Sequence, residues 1–182
     1  MSLMKMSLTE YKTTTAKIQE GKTMKLKRSH LIHFVDAGMA KGSPEWFKIG
    51  KDVEDMSIDM GVDTETKKNI LDETTIVDNG YEPTVAVDTY YADTNDAIYD
   101  PLVNIAMNRE TGDACKSKVL EVLIEDTEAT SHRAWIEDAV IKPTSYGGAQ
   151  GGVQIPFTIG FDGNRKEGTV TIADGVPTFV AN

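Results

Sequence analysis

Alternating patterns in about the last thirty residues limit the fold of the whole chain most strongly. The apolar residues Val153, Ile155, Phe157, Ile159 and Phe161 occupy every second position, with polar or small residues between them. A period of two places the apolar set on one face of a β-strand. Burial of these five side chains contributes roughly 8–15 kcal/mol of stabilising free energy before costs are counted. The loss of backbone entropy on folding offsets most of this contribution. The strand therefore needs a partner sheet, in the same chain or in another copy.

A hairpin is predicted directly after this strand. The runs 168–173 and 176–180 are strand-like, and Asp174-Gly175 separates them. Asp-Gly favours a type I′ turn, because both central residues of that turn need a positive φ. The turn fixes a register in which two opposite pairs share one face: Ile172 with Pro177, and Val170 with Phe179. Because proline donates no backbone hydrogen bond, Pro177 indicates that the last strand lies at a sheet edge.

Further short strands and one helix are predicted upstream. A proline at the first helical position favours a helix that starts with Asp100 as N-cap and Pro101, and Gly112 is expected to end it. The apolar phase of one strand slips near Glu137-Asp138, which predicts a bulge. The predicted strands cover residues 31–35, 46–49, 52–60, 84–91, 119–125 and 134–142. We therefore expect a mainly β fold, a β-sandwich or barrel of about seven to nine short strands with one flanking α-helix.

The connection 61–82 is long, polar and poor in apolar residues. A connection of this length without structure of its own is unusual inside a compact domain. Three forms are open: a mobile flap, a two-stranded ribbon, or an arm that reaches another subunit.

Charge is distributed unevenly along the 182 residues, whose net charge is −10. Residues 1–28 hold seven Lys or Arg and two Glu, a net charge of +5, whereas the rest carries −15. We predict a basic arm over 1–29, flexible or ordered on assembly, and a single domain over 30–182. An acidic body disfavours nucleic-acid binding. The arm is free to touch nucleic acid, to lie on a neighbouring copy, or to remain a solvated tail.

No pattern in the chain points to catalysis or to a bound cofactor. The three histidines, His30, His33 and His132, lie in no nucleophile motif. The acidic clusters 93–96 and 162–164 lack the spacing of a calcium loop, and the glycines of 147–152 are followed by a strand rather than the helix of a phosphate loop. The lone Cys115 excludes an intrachain disulfide. We expect no enzyme, no metal and no cofactor, with no membrane insertion, since no apolar run is long enough to span a bilayer.

An ordered set of segments carries a family resemblance. These are the run from His30 to Gly38, Trp46-Phe-Lys-Ile-Gly, the acidic run 53–60, Asp100-Pro with its helix, and the closing run 168–179. Together they resemble the tail tube (major tail) proteins of long-tailed bacteriophages and of related tail-like particles of Gram-positive bacteria. The resemblance covers about residues 30–181.

The resemblance implies a structural virion protein without catalytic residues. It implies hexameric rings that stack into a hollow tube through which DNA passes into the host, with a long loop and terminal arms that contact adjacent rings. The expected location is the virion tail, after assembly in the bacterial host cytoplasm. The expected partners are further copies of the chain, other tail proteins such as the tape measure and the terminator, and DNA in transient, non-specific passage.

The charged residues provide candidates for both surfaces of such a tube. A negative wall repels passing DNA, and the lumen-facing candidates are Asp55, Asp59, Glu121 and Glu125. The inter-ring contact candidates are Lys25, Lys27, Arg28, Glu65, Lys67 and Lys68. Two alternatives stay open: the tube protein of a contractile bacteriocin or injection particle, and a β-sandwich module that binds a surface protein or carbohydrate.

Overall fold

The computed structural model describes residues 25–182 of the chain. These residues form eleven β-strands and one α-helix. The elements are β1 Leu31–Asp36, β2 Trp46–Ile49, β3 Ile58–Asp59, β4 Val62–Lys68, β5 Thr74–Tyr81, β6 Thr84–Val87, α1 Tyr99–Asn108, β7 Lys116–Leu123, β8 His132–Pro143, β9 Phe157–Phe161, β10 Lys166–Ala173 and β11 Val176–Ala181. The prediction of a mainly β fold with one flanking helix is confirmed. Residues 1–24 of the predicted arm lie outside the described residues.

Nine of the strands form one curled, antiparallel sheet that forks at β8. One path through the sheet runs β2-β1-β7-β8-β9-β6-β3, and the hairpin β10–β11 leaves the path at β8. Along one edge β8 pairs with β7 without a break from Arg133 to Val140. Along its other edge β8 pairs first with β10, over 132–136, and then with β9, over 139–143.

This exchange of partners explains the slip of apolar phase that the sequence shows near Glu137-Asp138. The predicted bulge is wrong, because the register with β7 is uninterrupted at that point. Instead the strand buries opposite faces in its two halves: Ala134 packs in one core with Phe34 and Leu120, and Ile141 packs in the other core. A two-residue period therefore holds throughout β8, while the buried face changes.

The predicted hairpin is confirmed in its turn and its register. Asp174 and Gly175 have φ values of 50° and 83°, as a type I′ turn requires. Ile172 pairs with Pro177 and Val170 with Phe179. Because β11 pairs only with β10, Pro177 lies in an edge strand as predicted, and it is buried.

The helix α1 packs an apolar stripe against the larger core. Leu102 and Ile105 are buried there with Phe157 and Ile159 of β9. The predicted bounds are wrong by several residues, since the helix begins at Tyr99 and ends at Asn108. Arg109 adopts the left-handed conformation at φ 54° and donates its N–H to the Ile105 carbonyl, so that the chain leaves the helix before Gly112.

The segment 52–60 is a strand over two residues only, which corrects the longer predicted strand. Ile58 and Asp59 of β3 pair with Val85 and Thr84 of β6. Alternation over 52–57 does not produce a strand, because Met56 is the one fully buried side chain of that stretch, and Gly50 and Asp52 have positive φ. Beyond β3 the polar connection forms a two-stranded ribbon, β4–β5, one of its three predicted forms.

Candidate assembly surfaces

Two of the predicted lumen-facing carboxylates are exposed on the approach to the ribbon. Asp55 accepts a hydrogen bond from the Ser57 hydroxyl at 3.3 Å, and Asp59 accepts one from the Gly61 N–H at 3.0 Å. Asp63, at the start of the ribbon, is exposed as well. These short-range hydrogen bonds orient the carboxylates without neutralising them, so this stretch presents negative charge to solvent.

Glu121 differs from these residues, because its side chain is buried and paired. It is 6 % exposed in β7. Arg165 reaches it across the fork of the sheet, with Nη2 at 2.6 Å from Glu121 Oε2, and the same guanidinium donates from Nη1 to Glu137 Oε2 at 2.7 Å. The buried His33 lies on the other side, with Nε2 3.7 Å from Glu121 Oε1. The charge of Glu121 is therefore compensated inside the described chain.

The pKa of Glu121 reflects this competition. Burial raises the pKa of the carboxyl, but His33 and Arg165 favour the charged form and together hold the pKa below its ordinary value. Burial likewise lowers the pKa of Arg165, and the two carboxylates outweigh this effect and raise it. Glu121 and Arg165 thus stay ionised at neutral pH, and the contacts of Arg165 join β7 and β8 to the residue before β10.

Glu125, the fourth lumen-facing candidate, follows β7 in an exposed loop. Its carboxylate lies 3.6 Å from Arg133, which also approaches Glu167 at 3.3 Å. All three side chains are about half exposed, so solvent screens the pairs. The four predicted carboxylates differ in environment: Asp55 and Asp59 are exposed before the ribbon, Glu121 is buried in β7, and Glu125 is exposed after β7.

The two faces of the ribbon β4–β5 differ in composition. Glu65 and Lys67 share one face, where they form an ion pair of 3.1 Å. The opposite face is mostly Val, Thr, Ile and Tyr, because Val62 pairs with Tyr81 and Thr66 with Ile76. Its members are Val62, Thr64, Thr66, Lys68, Thr74, Ile76, Asp78 and Tyr81, of which Lys68 and Asp78 are charged. Of this face the sequence prediction named only Lys68, although the alternation Val62, Thr64, Thr66 was a usable signal.

The turn between β4 and β5, residues 69–73, presents two bare aliphatic side chains. Ile70 is 100 % exposed and Leu71 72 % exposed. Asn69 closes the turn, since its Oδ1 accepts hydrogen bonds from the N–H groups of Leu71 and Glu73 at 2.9 and 3.0 Å. Its Nδ2 donates to Glu73 Oε2 at 2.6 Å. The aliphatic side chains are thus displayed by a hydrogen-bonded turn, at the end of strands about 24 Å long.

The basic candidates before β1 divide into two kinds. Lys25 and Lys27 are exposed. Arg28 instead binds within its own chain, where it donates to the Leu31 carbonyl at 2.6 Å and to the Met56 carbonyl at 2.9 Å. Arg28 therefore fastens the segment before β1 to the segment before β3.

No helix within residues 25–182 is both long and apolar enough to cross a bilayer. The same residues contain no group of three or more His, Cys, Asp or Glu side chains placed to hold a metal ion.

The mainly β fold, a curled sheet with one flanking helix, is like that of a phage tail tube protein. The chain is similar to a chain of the tail tube of phage SPP1, with a TM-score of 0.55 and 17 % identity over 83 % of this chain and 82 % of that one. It also matches the sheath/tube terminator of the extracellular contractile injection system PVC (TM-score 0.47, 15 % identity, 80 % and 96 % covered). A third match is the tube-terminating cap of the anti-feeding prophage (0.45, 13 %, 92 % and 99 %). No protein-family model and no curated protein matches the sequence.

Proposed function

We propose that the chain is a self-assembling structural subunit of a hollow phage tail tube, built of stacked hexameric rings that conduct DNA into the host. The observation that carries the proposal is the fold shared with the SPP1 tail tube chain over more than four fifths of both chains. The work of such a subunit is geometric and electrostatic and involves no bond chemistry. Its place is the virion tail, after assembly in the host cytoplasm beside tape measure and terminator proteins.

Stacked rings require a contact that joins two different surfaces of the subunit. A head-to-tail contact of this kind does not close on itself and therefore grows a filament. The ribbon and the basic segment before β1 are suited to it, since the ribbon is exposed along almost its whole length and Lys25 and Lys27 are exposed. The proposed inter-ring residues are Lys25, Lys27, Arg28, Glu65, Lys67 and Lys68.

Sedimentation velocity across concentration and salt tests this assembly. We expect a series of ever larger species as concentration rises, with growth that weakens at high salt because ionic contacts between rings are screened. A Lys25→Gln/Lys27→Gln variant should lose much of the salt dependence, and Lys41→Gln, another exposed lysine, should keep it. Arg28 is left intact because it holds the Leu31 and Met56 carbonyls. One closed species of fixed size at every concentration would contradict the proposal.

The proposed lumen wall includes Asp55, Asp59 and Glu125, whose side chains are exposed, and Glu121 only as a compensated charge behind it. A wall with free negative charge keeps the duplex from adhering during passage. We propose that Asp55 and Asp59 supply most of the negative charge of this wall, because both carboxylates are exposed and are oriented by short-range hydrogen bonds.

Charge reversal tests the wall. Assembled Asp55→Lys/Asp59→Lys protein should retain short duplex DNA at about 50 mM salt and release it at about 200 mM, since each added phosphate contact steepens the salt dependence. Assembled wild-type protein should retain none under either condition. Glu128→Lys, which changes the charge of an exposed loop, is the matched control. Equal retention by the control would mean that the DNA binds outside and would remove these two residues from the lumen.

A further inference from the structure

An Asn-Gly step lies in β5 at the point where the register of the ribbon is irregular. Asn79 is the one asparagine of the seven in the sequence that a glycine follows. Asp63 pairs with Gly80, whereas the next residue, Thr64, pairs with Asp78. Asn79 is therefore the extra residue of a β-bulge, where the pairing of the two strands is locally disrupted. Asn79 is exposed, and Gly80 has a φ of 101°.

The atoms around this bulge are arranged for attack on a side-chain amide. Attack of the Gly80 nitrogen on Asn79 Cγ closes a five-membered ring, and glycine has no side chain to obstruct it. Gly80 donates its N–H to Asp78 Oδ1 at 2.9 Å, within the reach of about 2.6–3.2 Å that a general base needs. Asn69 and Asn164 differ, because their Nδ2 groups donate to carboxylates and bulkier residues follow them. The bulge therefore combines an amide, an unhindered nitrogen and a proton acceptor.

We propose that Asn79 is a site of spontaneous deamidation in the folded protein, with the Asp78 carboxylate as the acceptor of the Gly80 proton. The Gly80 nitrogen forms a bond to Asn79 Cγ while the bond from Cγ to Nδ2 breaks. Asp78 passes the proton to Nδ2, which leaves as ammonia, so that the Asp78 carboxylate is regenerated. Water then opens the resulting succinimide at either carbonyl and gives aspartate or β-linked isoaspartate. The reaction needs no oxidant, reductant or cofactor.

Both products alter the ribbon where β4 begins and β5 ends. They place a new carboxylate next to Asp78 and across the strands from Asp63, where like charges destabilise the pairing. Isoaspartate also carries the main chain through its former side chain and adds one carbon to β5. The extra carbon shifts the register between the Asp63–Gly80 and Thr64–Asp78 pairs. These changes occur within a single chain and do not depend on the proposed tube.

Peptide mapping by mass spectrometry of dispersed protein, stored at neutral pH, tests the site. We expect the peptide that contains Asn79 to gain the mass difference between an amide and a carboxyl group, with one ammonia released per converted chain. Asn79 should convert at least about tenfold faster than Asn69, Asn104 or Asn164, which corresponds to a barrier lower by about 1.4 kcal/mol. Labelling by an isoaspartate methyltransferase identifies the β-linked product. Asn79→Gln, which cannot close the five-membered ring, is the matched control and should take up no label in this peptide.

Unfolded protein and two variants separate the effect of the fold from that of the sequence. Guanidinium chloride removes the contact between Asp78 and Gly80, so Asn79 should convert more slowly in unfolded than in folded protein. Asp78→Ser keeps an oxygen that can accept the N–H but removes the base. It should slow the reaction at least about tenfold, since a positioned general base typically contributes about 10²-fold or more. Asp63→Ser removes an equal charge from the opposite strand and should leave the rate unchanged.

Two results would overturn the proposal. If Asn79 keeps its amide in folded protein and loses it only after unfolding, the strand protects the residue and the site does not exist in the folded chain. If wild type, Asp78→Ser and Asp63→Ser convert at equal rates, the Asp78 carboxylate takes no part in the reaction. Because every rate is measured in dispersed protein, either result leaves the tube proposal unaffected.

Discussion

At the scale of single residues, Arg165 at the fork of the sheet stabilises the fold through two buried partners. Arg165 lies where β8 exchanges β10 for β9, and it joins two buried glutamates that would otherwise repel each other. Removal of one partner from a buried pair leaves the remaining charges uncompensated. The ion pairs therefore hold together a place where the backbone ladder changes partners.

Glu121→Gln tests this role through its pH dependence. The folded-state pKa of Glu121 is lowered, so its ionisation adds stability above the ordinary value of 4.5, and that stability is lost as pH falls through the folded pKa. We expect the free energy of unfolding of the variant at pH 7 to be about 1.5–3 kcal/mol lower than that of wild type. Below pH 4.5 the difference in unfolding free energy between the two proteins should become smaller. Urea titration at several pH values measures this difference.

Glu167→Gln is the matched control, because Glu167 pairs with Arg133 while half exposed. The substitution should lower the free energy of unfolding by less than about 1 kcal/mol, and this difference should vary little with pH. A Glu121→Gln gap that is independent of pH would mean that the side chain contributes by packing rather than by charge.

The sequence could predict little of this cluster. Alternation places Glu121 in a strand, but it does not show which face is buried when the two faces of one sheet pack in different cores. Arg165 lies far along the chain after a turn, and its contact with β7 depends on the fork at β8. Glu121 was therefore grouped with exposed carboxylates on the strength of charge alone.

At the scale of elements, the ribbon is almost independent of the cores. Neither β4 nor β5 contains a fully buried residue, and the ribbon is joined to the main sheet through the short β3–β6 pair. An isolated two-stranded ribbon is only marginally stable in water. A surface contact with a neighbour would bury its mostly uncharged face and the apolar side chains of its turn.

A protein with a shortened ribbon tests whether the ribbon is needed for assembly but not for folding. Residues 64–79 are replaced by Asn-Gly, so that the paired residues Asp63 and Gly80 flank a two-residue hairpin turn. The unfolding free energy should change by less than about 1 kcal/mol, because the removed residues bury almost no apolar surface. The shortened protein should remain dispersed at concentrations where wild type sediments as large species. A loss of the β circular-dichroism signal would show instead that the ribbon supports the cores.

Elements defined by local turn chemistry were the ones that sequence could predict. The β10–β11 hairpin agrees in turn and register, and β2 agrees in both bounds, because Asp-Gly and alternation act within a few residues. The strand predicted over 52–60 is too long, since alternation without a long pairing partner does not make a strand. The partner exchange of β8 is a tertiary feature, and its only trace in the sequence was a slip of apolar phase.

At the scale of the whole molecule, exposed charge is distributed unevenly. The cores lie on both faces of β7 and β8, whereas the acidic approach to the ribbon and the ribbon itself are exposed. A net charge of −10 opposes association of copies through most of the surface. The mostly uncharged ribbon face is a local exception, which favours contact there.

Cryo-electron microscopy of the assembled protein tests the central proposal most directly. We predict hollow tubes of stacked six-membered rings, with each ribbon extended onto the adjacent ring and with Asp55 and Asp59 on the inner wall. Dispersed monomers or closed dimers at every concentration and salt, or filaments without a channel, would contradict the proposed function.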